Sequence, residues 1–272
     1  MRPYILPALA LSAAGLTPAA EPVLGDLKPH TLAAFERYAR LTEARIGEET
    51  SGRAPLLWID RQPEARKRDH YARLQRGEVV IERLETRDGT RRIDVDDGMI
   101  HHWVGTVLIP GASLDKVIPF VQAYQDYPKH FAPMIQRAAI RSREGDRFVV
   151  TMRTSMTKVI TVVLDADYAV EYRRLDPAKL FTRSITSNVY EVSDAGQPGE
   201  QRKPADRGMG YLWRLNTYCS FEARPEGTYE QCESISLTRG LPFVFAMFKP
   251  LITSIPRDTL TMTLQQVRKN VR

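Results

Sequence analysis

The sequence predicts an α+β protein in which an antiparallel sheet grips a long C-terminal helix. Three observations lead there. From Tyr211 to Arg224, the residues Tyr211, Trp213, Leu215, Cys219 and Phe221 fall on one side of a period-two pattern, as in a strand with one apolar face. Arg224-Pro225-Glu226-Gly227 is turn chemistry, with Pro fixing φ and Gly relaxing it, and a return strand follows from Thr228 to about Thr238. Leu241 to Arg272 then changes to helical spacing. A strand pair closed by a long helix leaves room between them for a ligand.

Composition bounds the rest. Of 272 residues, 43% are hydrophobic and 26% charged, which suits a globular protein with a full core in one domain, or one domain plus an extension. Lys and Arg number 39 against 33 Asp and Glu, for a net charge of +6. That excess permits contact with anionic surfaces such as lipid headgroups without demanding it. It is not gathered on one element as in a nucleic-acid reader, so no nucleic-acid partner is expected. Residues 1–20 read as a secretory signal peptide: Arg2 is a short basic start, Ile5 to Leu16 an apolar run, and Thr17-Pro18-Ala19-Ala20 a small-residue cleavage region. The alternative is a disordered or membrane-anchoring N-terminus, although the run is shorter than the ~20 residues that span a bilayer. The expected location is periplasmic or secreted.

Export permits disulfides. The two cysteines are Cys219 and Cys232. With Pro225 and Glu226 as a two-residue loop, they face each other across the hairpin on the same side of the sheet. A three-residue loop would place them on opposite faces. A cross-strand disulfide and two buried thiols acting as small hydrophobes are the two readings.

In chain order, residues 28–50 form an amphipathic helix, with Thr31 as its cap and Leu32, Phe35, Ala39 and Ile46 near one stripe. Ser51 to Pro55 breaks it. Asp60 to Arg76 is dense in charge, with Arg61, Arg66, Lys67, Arg68, Arg73 and Arg76. It reads as a solvated helical face or, functionally, as a contact with a membrane surface or partner. Residues 21–76 together make an N-terminal helical extension. Strands follow at Glu78–Leu84 and Ile100–Ile109, the latter apolar on both faces and therefore central. Ser113 caps a helix with Leu114, Val117, Ile118 and Val121 on one face, which Pro119 kinks or shortens. A meander comes next, with strands near 135–142, 147–156, 158–166, 168–174 and 183–192. Ser193 to Gly208 reads as a flexible loop, rich in Gly, Pro and charge. In the tail, Pro250 interrupts an apolar segment containing Phe243, Phe245, Met247 and Phe248. Ser254-Ile255-Pro256 restarts the helix, whose stripe is Leu260, Leu264, Val267 and Val271, and Arg268, Lys269 and Arg272 suit its C-terminal end.

This order, with the helix from Ser113 ending in Asp126-Tyr127-Pro128 and the closing helix from Ser254, resembles the START-like superfamily, also called SRPBCC or helix-grip. Polyketide cyclases and lipid-transfer proteins belong to it. The resemblance covers about residues 78–272 and is one of element order and hydrophobic pattern. The stretches GMIHHWVGTVLIPG, GYLWRLNTY and QCESISLTRGLPF are similar to those of secreted bacterial members that lack an assigned activity. It implies a curved sheet wrapped round the final helix, an apolar cavity between them, and a ligand-binding domain over residues 77–272. The N-terminal extension, the charged loop at 193–208 and the signal peptide depart from the pattern.

The chemistry-bearing residues are few. His101 and His102 are neighbours on a strand and point to opposite faces, so they cannot share one metal. His30, His70 and His130 are scattered, and no metal site is expected. No G-x-S-x-G, G-x-x-x-x-G-K-[ST] or G-x-G-x-x-G is present, so no nucleophile elbow or cofactor loop is expected. Asp94, Asp96 and Asp97 sit beside arginines in a turn, where solvation explains them. What remains are polar residues on apolar strands: Arg153, Lys158, Arg214, Tyr218, Glu233 and Arg239. Arg214, Glu233 and Arg239 pair as ions at the sheet rim, or one or two of them fix the polar end of an amphipathic ligand. The expected ligand-binding set is His102, Trp103, Trp213, Arg214, Tyr218, Glu233, Arg239 and Phe245, with the aromatics covering the ligand's apolar body.

Three functions compete. The first is a carrier or sensor of a small hydrophobic ligand such as a lipid, sterol, polyketide or aromatic compound. The second is a cyclase- or dehydratase-type enzyme, with His101 or His102 moving a proton and Arg214 steadying an oxyanion. The third is an envelope interaction module using the charges of 60–76. A pocket histidine hydrogen-bonded to a carboxylate would favour the second, and a closed, filled core the third.

Overall fold

The computed structural model describes residues 25–158, 160–240 and 249–271. The signal segment 1–20, the apolar residues Phe243, Phe245, Met247 and Phe248, and Arg272 lie outside the described residues. The chain is α+β and runs α1 (Pro29–Thr50), α2 (Glu64–Gln75), β1 (Val80–Arg83), β2 (Gly98–Pro110), α3 (Leu114–Gln122), α4 (Tyr127–His130), β3 (Ile135–Glu144), β4 (Arg147–Thr157), β5 (Thr161–Asp176), β6 (Lys179–Ser193), β7 (Arg214–Arg224), β8 (Gly227–Arg239) and α5 (Lys249–Asn270). One antiparallel sheet holds eight of these strands in the order β1-β2-β8-β7-β6-β5-β4-β3, with Gln201–Arg202 pairing beside β6.

The β7–β8 hairpin sets the register. Arg224 pairs with Gly227, so Pro225 and Glu226 form a two-residue loop and Cys219 lies opposite Cys232. The sulfurs are joined in a disulfide, and the thiol alternative falls away. The strand starts at Arg214, not Tyr211. Gly210 takes φ +73°, and the irregular backbone after it sends Trp213 to the opposite face from Leu215, Cys219 and Phe221.

Around β2, β8 and β7 both faces of the sheet are covered, whereas β3 is largely exposed. The inner face packs on α3, on Phe131 just beyond α4, and on α5, where Leu260, Leu264, Val267 and Val271 form the expected buried stripe. α5 comes so close to β2 that a Cβ at Gly105 would stand 2.6 Å from Leu264 Cδ1. The outer face is covered by α1, whose Phe35, Tyr38 and Ile46 pack on Phe181, Ile235 and Leu237. Leu74 of α2 and the preceding Leu57 and Ile59 pack on Leu108 and Tyr229. This double cover is why β2 is apolar on both sides.

Several expectations are corrected. Thr31 does not cap α1: Lys28 holds that position, and Thr31 Oγ1 donates to Asp96 O at 2.8 Å. The strands expected at 158–166 and 168–174 are one, β5, with a register shift between Asp167 and Tyr168. A bulge absorbs the break in periodicity without ending the strand. Pro256 lies inside a continuous α5 and does not restart it. The 193–208 segment is tied down. Glu200 accepts from Arg153 at 2.7 Å, Lys203 N donates to Glu191 O at 2.8 Å, and Arg207–Gly208 pairs with Gly25–Asp26. The Glu191 carboxylate accepts from the backbone N–H of Met209, Gly210 and Tyr211. A side chain at Gly208 would collide with that carboxylate, a built Cβ standing 2.2 Å from Oε2. Composition showed a polar loop but not its partners.

The crosslink spans 13 residues of sequence. Closing a loop of this size stabilises by about 3 kcal/mol. Replacing both cysteines by serine should lower the denaturation midpoint accordingly in chemical unfolding, and peptide mapping without reductant should recover Cys219 and Cys232 in one linked fragment. Gly105→Val should cost about 1–3 kcal/mol by overpacking against Leu264.

Candidate functional site

Strand pleating divides the candidate residues into two sets. β8 turns Glu230, Cys232, Ser234 and Ser236 inward, all buried, and Tyr229, Gln231, Glu233, Ile235 and Leu237 outward. The inward row is polar on a face otherwise built of apolar side chains. Two of its atoms, Glu230 Oε2 and Ser236 Oγ, have no hydrogen-bond partner among the described residues. Burial alone pushes the Glu230 carboxyl up to about 8, so it is mostly neutral at pH 7. On β2, His101 lies opposite Ser236, and its Nε2 is 3.0 Å from Thr238 Oγ1. Burial, with a smaller contribution from Arg83, lowers this imidazole to about 4. Trp103, opposite Ser234, is half-buried against the inner core. Beside Glu230 stand three tyrosines. Tyr127 and Tyr172 donate to Val121 O at 2.6 and 2.8 Å, and the Tyr124 and Tyr172 hydroxyls are 2.6 Å apart.

The outward set is a buried network beneath α1. His102 Nε2 lies 2.6 Å from Glu233 Oε1, and His102 Nδ1 2.9 Å from the Tyr38 hydroxyl, which accepts from Thr86 N at 2.7 Å. Arg45 of α1 bonds Glu233 and also Glu49, which in turn meets Arg61. Burial opposes ionisation of Glu233, but the hydrogen bond and charge of His102 and the Arg45 guanidinium outweigh it and lower its pKa. Tyr218, paired with Glu233 across β7–β8 as expected, donates to Glu43 at 2.8 Å.

The eight expected ligand-binding residues are therefore not brought together. Trp103 faces inward. His102, Tyr218 and Glu233 face outward because each is an odd number of residues from the inward Trp103, Cys219 and Cys232 on its own strand. Trp213 lies in the outer apolar cluster. Arg214 grips Asp206 with two nitrogens at the start of β7, and the Arg239 guanidinium lies against Gly25. Phe245 lies outside the described residues. Of the expected rim ion pairs, Arg214 fits; Glu233 is paired but deeply buried. The sequence reading missed Glu230 and Ser236. Stepping by two from Cys232 would have found them.

Two open cavities lie on the outer side. One of about 320 Å³ is bounded by Glu43, Ile46, Phe181, Arg183 and Tyr218. The other, of about 670 Å³, lies near Glu49, Arg53, Asp60, Lys67 and Glu222. His102 borders neither. The histidine–carboxylate pair exists, but both ring nitrogens are engaged and it holds α1 to the sheet.

Removing one member of a buried pair leaves an uncompensated charge, at about 3–5 kcal/mol. Glu233→Gln should destabilise at neutral pH by an amount approaching this. The Glu233 pKa is lowered by folding, so its contribution is full above the ordinary carboxylate value of 4.5 and is lost as pH falls through the folded value. Thermal melts of the two proteins should therefore differ most at neutral pH and converge in acid below that value.

No protein-family model matches the chain, and no curated protein matches it. Among solved structures, the chain is similar to a START superfamily protein from Mycobacterium smegmatis at 14% identity and TM-score 0.40, covering 63% of this chain and 97% of that one. It is also similar to the Zhui aromatase/cyclase from Streptomyces sp. R1128, at 11% identity and TM-score 0.43, over 64% and 94% of the two chains. A STAR-related lipid transfer protein from Xanthomonas axonopodis matches at 11% identity and TM-score 0.41, over 69% and 98%.

Proposed function

We propose that the protein binds a small hydrophobic ligand whose polar end is taken up by the inward row of β8. The observation that carries this reading is the inward row of β8. Glu230 Oε2 and Ser236 Oγ are buried without partners among the described residues, on a face lined largely by apolar side chains. Leaving such a group unsatisfied costs about 1–3 kcal/mol, which a ligand's polar atoms would offset. Neutral Glu230 and the Ser236 hydroxyl can each donate or accept. Trp103 supplies an aromatic wall, and Leu260 and Leu264 an aliphatic one.

The ligand-binding unit is the 77–272 portion, with the described part of the 21–76 extension, residues 25–76, as a coat on its outer face. The disulfide, and the absence among the described residues of any helix long and apolar enough to cross a membrane, are compatible with the periplasmic or secreted location proposed for it. The charges of 60–76 favour the interaction-module reading less. Arg61, Arg66, Lys67, Arg73 and Arg76 pair with Glu49, Glu82, Asp60 and Glu78 of the same chain.

Native mass spectrometry of protein taken gently from its host should show a bound small molecule. In titration with an apolar fluorescent probe, Trp103→Ala should weaken binding about tenfold, worth some 1.4 kcal/mol. Trp213→Ala, altering a ring on the other face, should leave it nearly unchanged. Probe binding that ignores Trp103 and follows Trp213 would move the site to the outer face and overturn the proposal.

A further inference from the structure

The ligand proposal does not use the disulfide, and the surroundings of its two sulfurs are unequal. Cys232 is 3% exposed, whereas Cys219 is only partly buried. The buried sulfur has a carboxyl beside it, with Glu230 Oε1 3.6 Å from Cys232 Sγ. The sulfurs and a carboxylate oxygen of Glu230 all lie within 4.8 Å of one another. Among the described residues no cation lies against Glu230 and its second oxygen has no partner, so the carboxyl stands beside the sulfur uncommitted to any ion pair. Three features thus coincide on the inner face of one hairpin: a less buried sulfur, a more buried sulfur and a proton source beside the latter.

We infer that Cys219–Cys232 is a thiol–disulfide exchange site in which Glu230 is the general acid for the Cys232 sulfur. A thiolate of an external dithiol attacks Cys219 Sγ. A mixed disulfide forms there, the Cys219–Cys232 bond breaks, and its electron pair stays on Cys232 Sγ. The Glu230 proton passes to that sulfur, giving a neutral buried thiol in place of a buried thiolate. The dithiol's second sulfur then closes onto its first and releases Cys219. The dithiol ends as a disulfide and the protein as two thiols, and Glu230 regains its proton from solvent. Run backwards, the Glu230 carboxylate takes the Cys232 proton and assists oxidation. Exchange is fastest when the leaving sulfur is stabilised, and a general acid works best with a pKa near the working pH. The Glu230 value of about 8 meets that condition. The titratable groups that face it are Tyr127 and Tyr172, with Tyr124 behind them, all raised by burial and neutral in this range.

The test follows reduction of the full-length oxidised protein by dithiothreitol, with thiols trapped by alkylation and counted by mass. Rates are divided by the reductant's thiolate concentration across a range from about pH 6 to about pH 10. For the natural protein, the normalised rate should hold steady up to about 8 and then fall as Glu230 ionises. Glu230→Gln places a neutral amide where a neutral acid stood, so the fold should survive, which circular dichroism checks. Its rate should be about tenfold lower or less, without the inflection. A natural-protein profile with no break, a variant matching it in rate and shape, or a disulfide reduced only once the protein unfolds would each overturn the inference. The pH profile of the natural protein decides the matter even if the variant misfolds. Because the reagent is a dithiol, failure here leaves the ligand proposal untouched.

Discussion

The pleat of the β2–β8–β7 ribbon is the constraint on which the rest depends. In a sheet wetted on one side, half the residues of a strand answer only to solvent. Here helices coat both sides, so most positions on these strands are buried or partly buried and choose between two such environments. A two-residue loop at Pro225-Glu226 fixes that choice for the whole ribbon at once. It brings the cysteines into register, sends Glu230 inward and sends Glu233 outward to His102 and Arg45.

The two buried faces handle polarity in opposite ways. On the outer face charge meets charge: Glu233 is shared by His102 and Arg45, and Glu49 by Arg45 and Arg61. Such pairs fix how α1 sits, because each partner left alone in the interior would be costly. On the inner face polar groups are small or neutral. The tyrosines satisfy one another and Val121 O, while Glu230 and Ser236 keep spare capacity. One face is a fastening, and the other still has bonds to give.

Much of this was legible in the sequence. The hairpin register, the facing cysteines, the α1 helix with Phe35, Ala39 and Ile46 buried, and the α5 stripe all follow from local spacing and turn chemistry. The candidate site was less so, for physical reasons. Period-two alternation says that His102 and Trp103 part company, but not which of them meets α5. That depends on Gly105 admitting Leu264 and on α1 returning over the far side, both contacts between elements distant in sequence. Trp213 escaped because alternation fails outside a regular strand, and the left-handed Gly210 puts it outside one. The 193–208 loop looked loose because its restraints, Arg153 and Glu191, lie on strands read separately.

Covering a sheet with two unlike layers has a thermal consequence. The inner layer is held mainly by hydrocarbon, Leu260, Leu264 and Val267 against β2 and its neighbours, with Lys158–Asp258 as an ion pair at the end of β4. The outer one adds buried ion pairs to its apolar contacts. Warming lowers the cost of stripping water from paired charges, while the gain from hydrocarbon burial levels off. The clasp beneath α1 therefore gains on the α5 side as temperature rises.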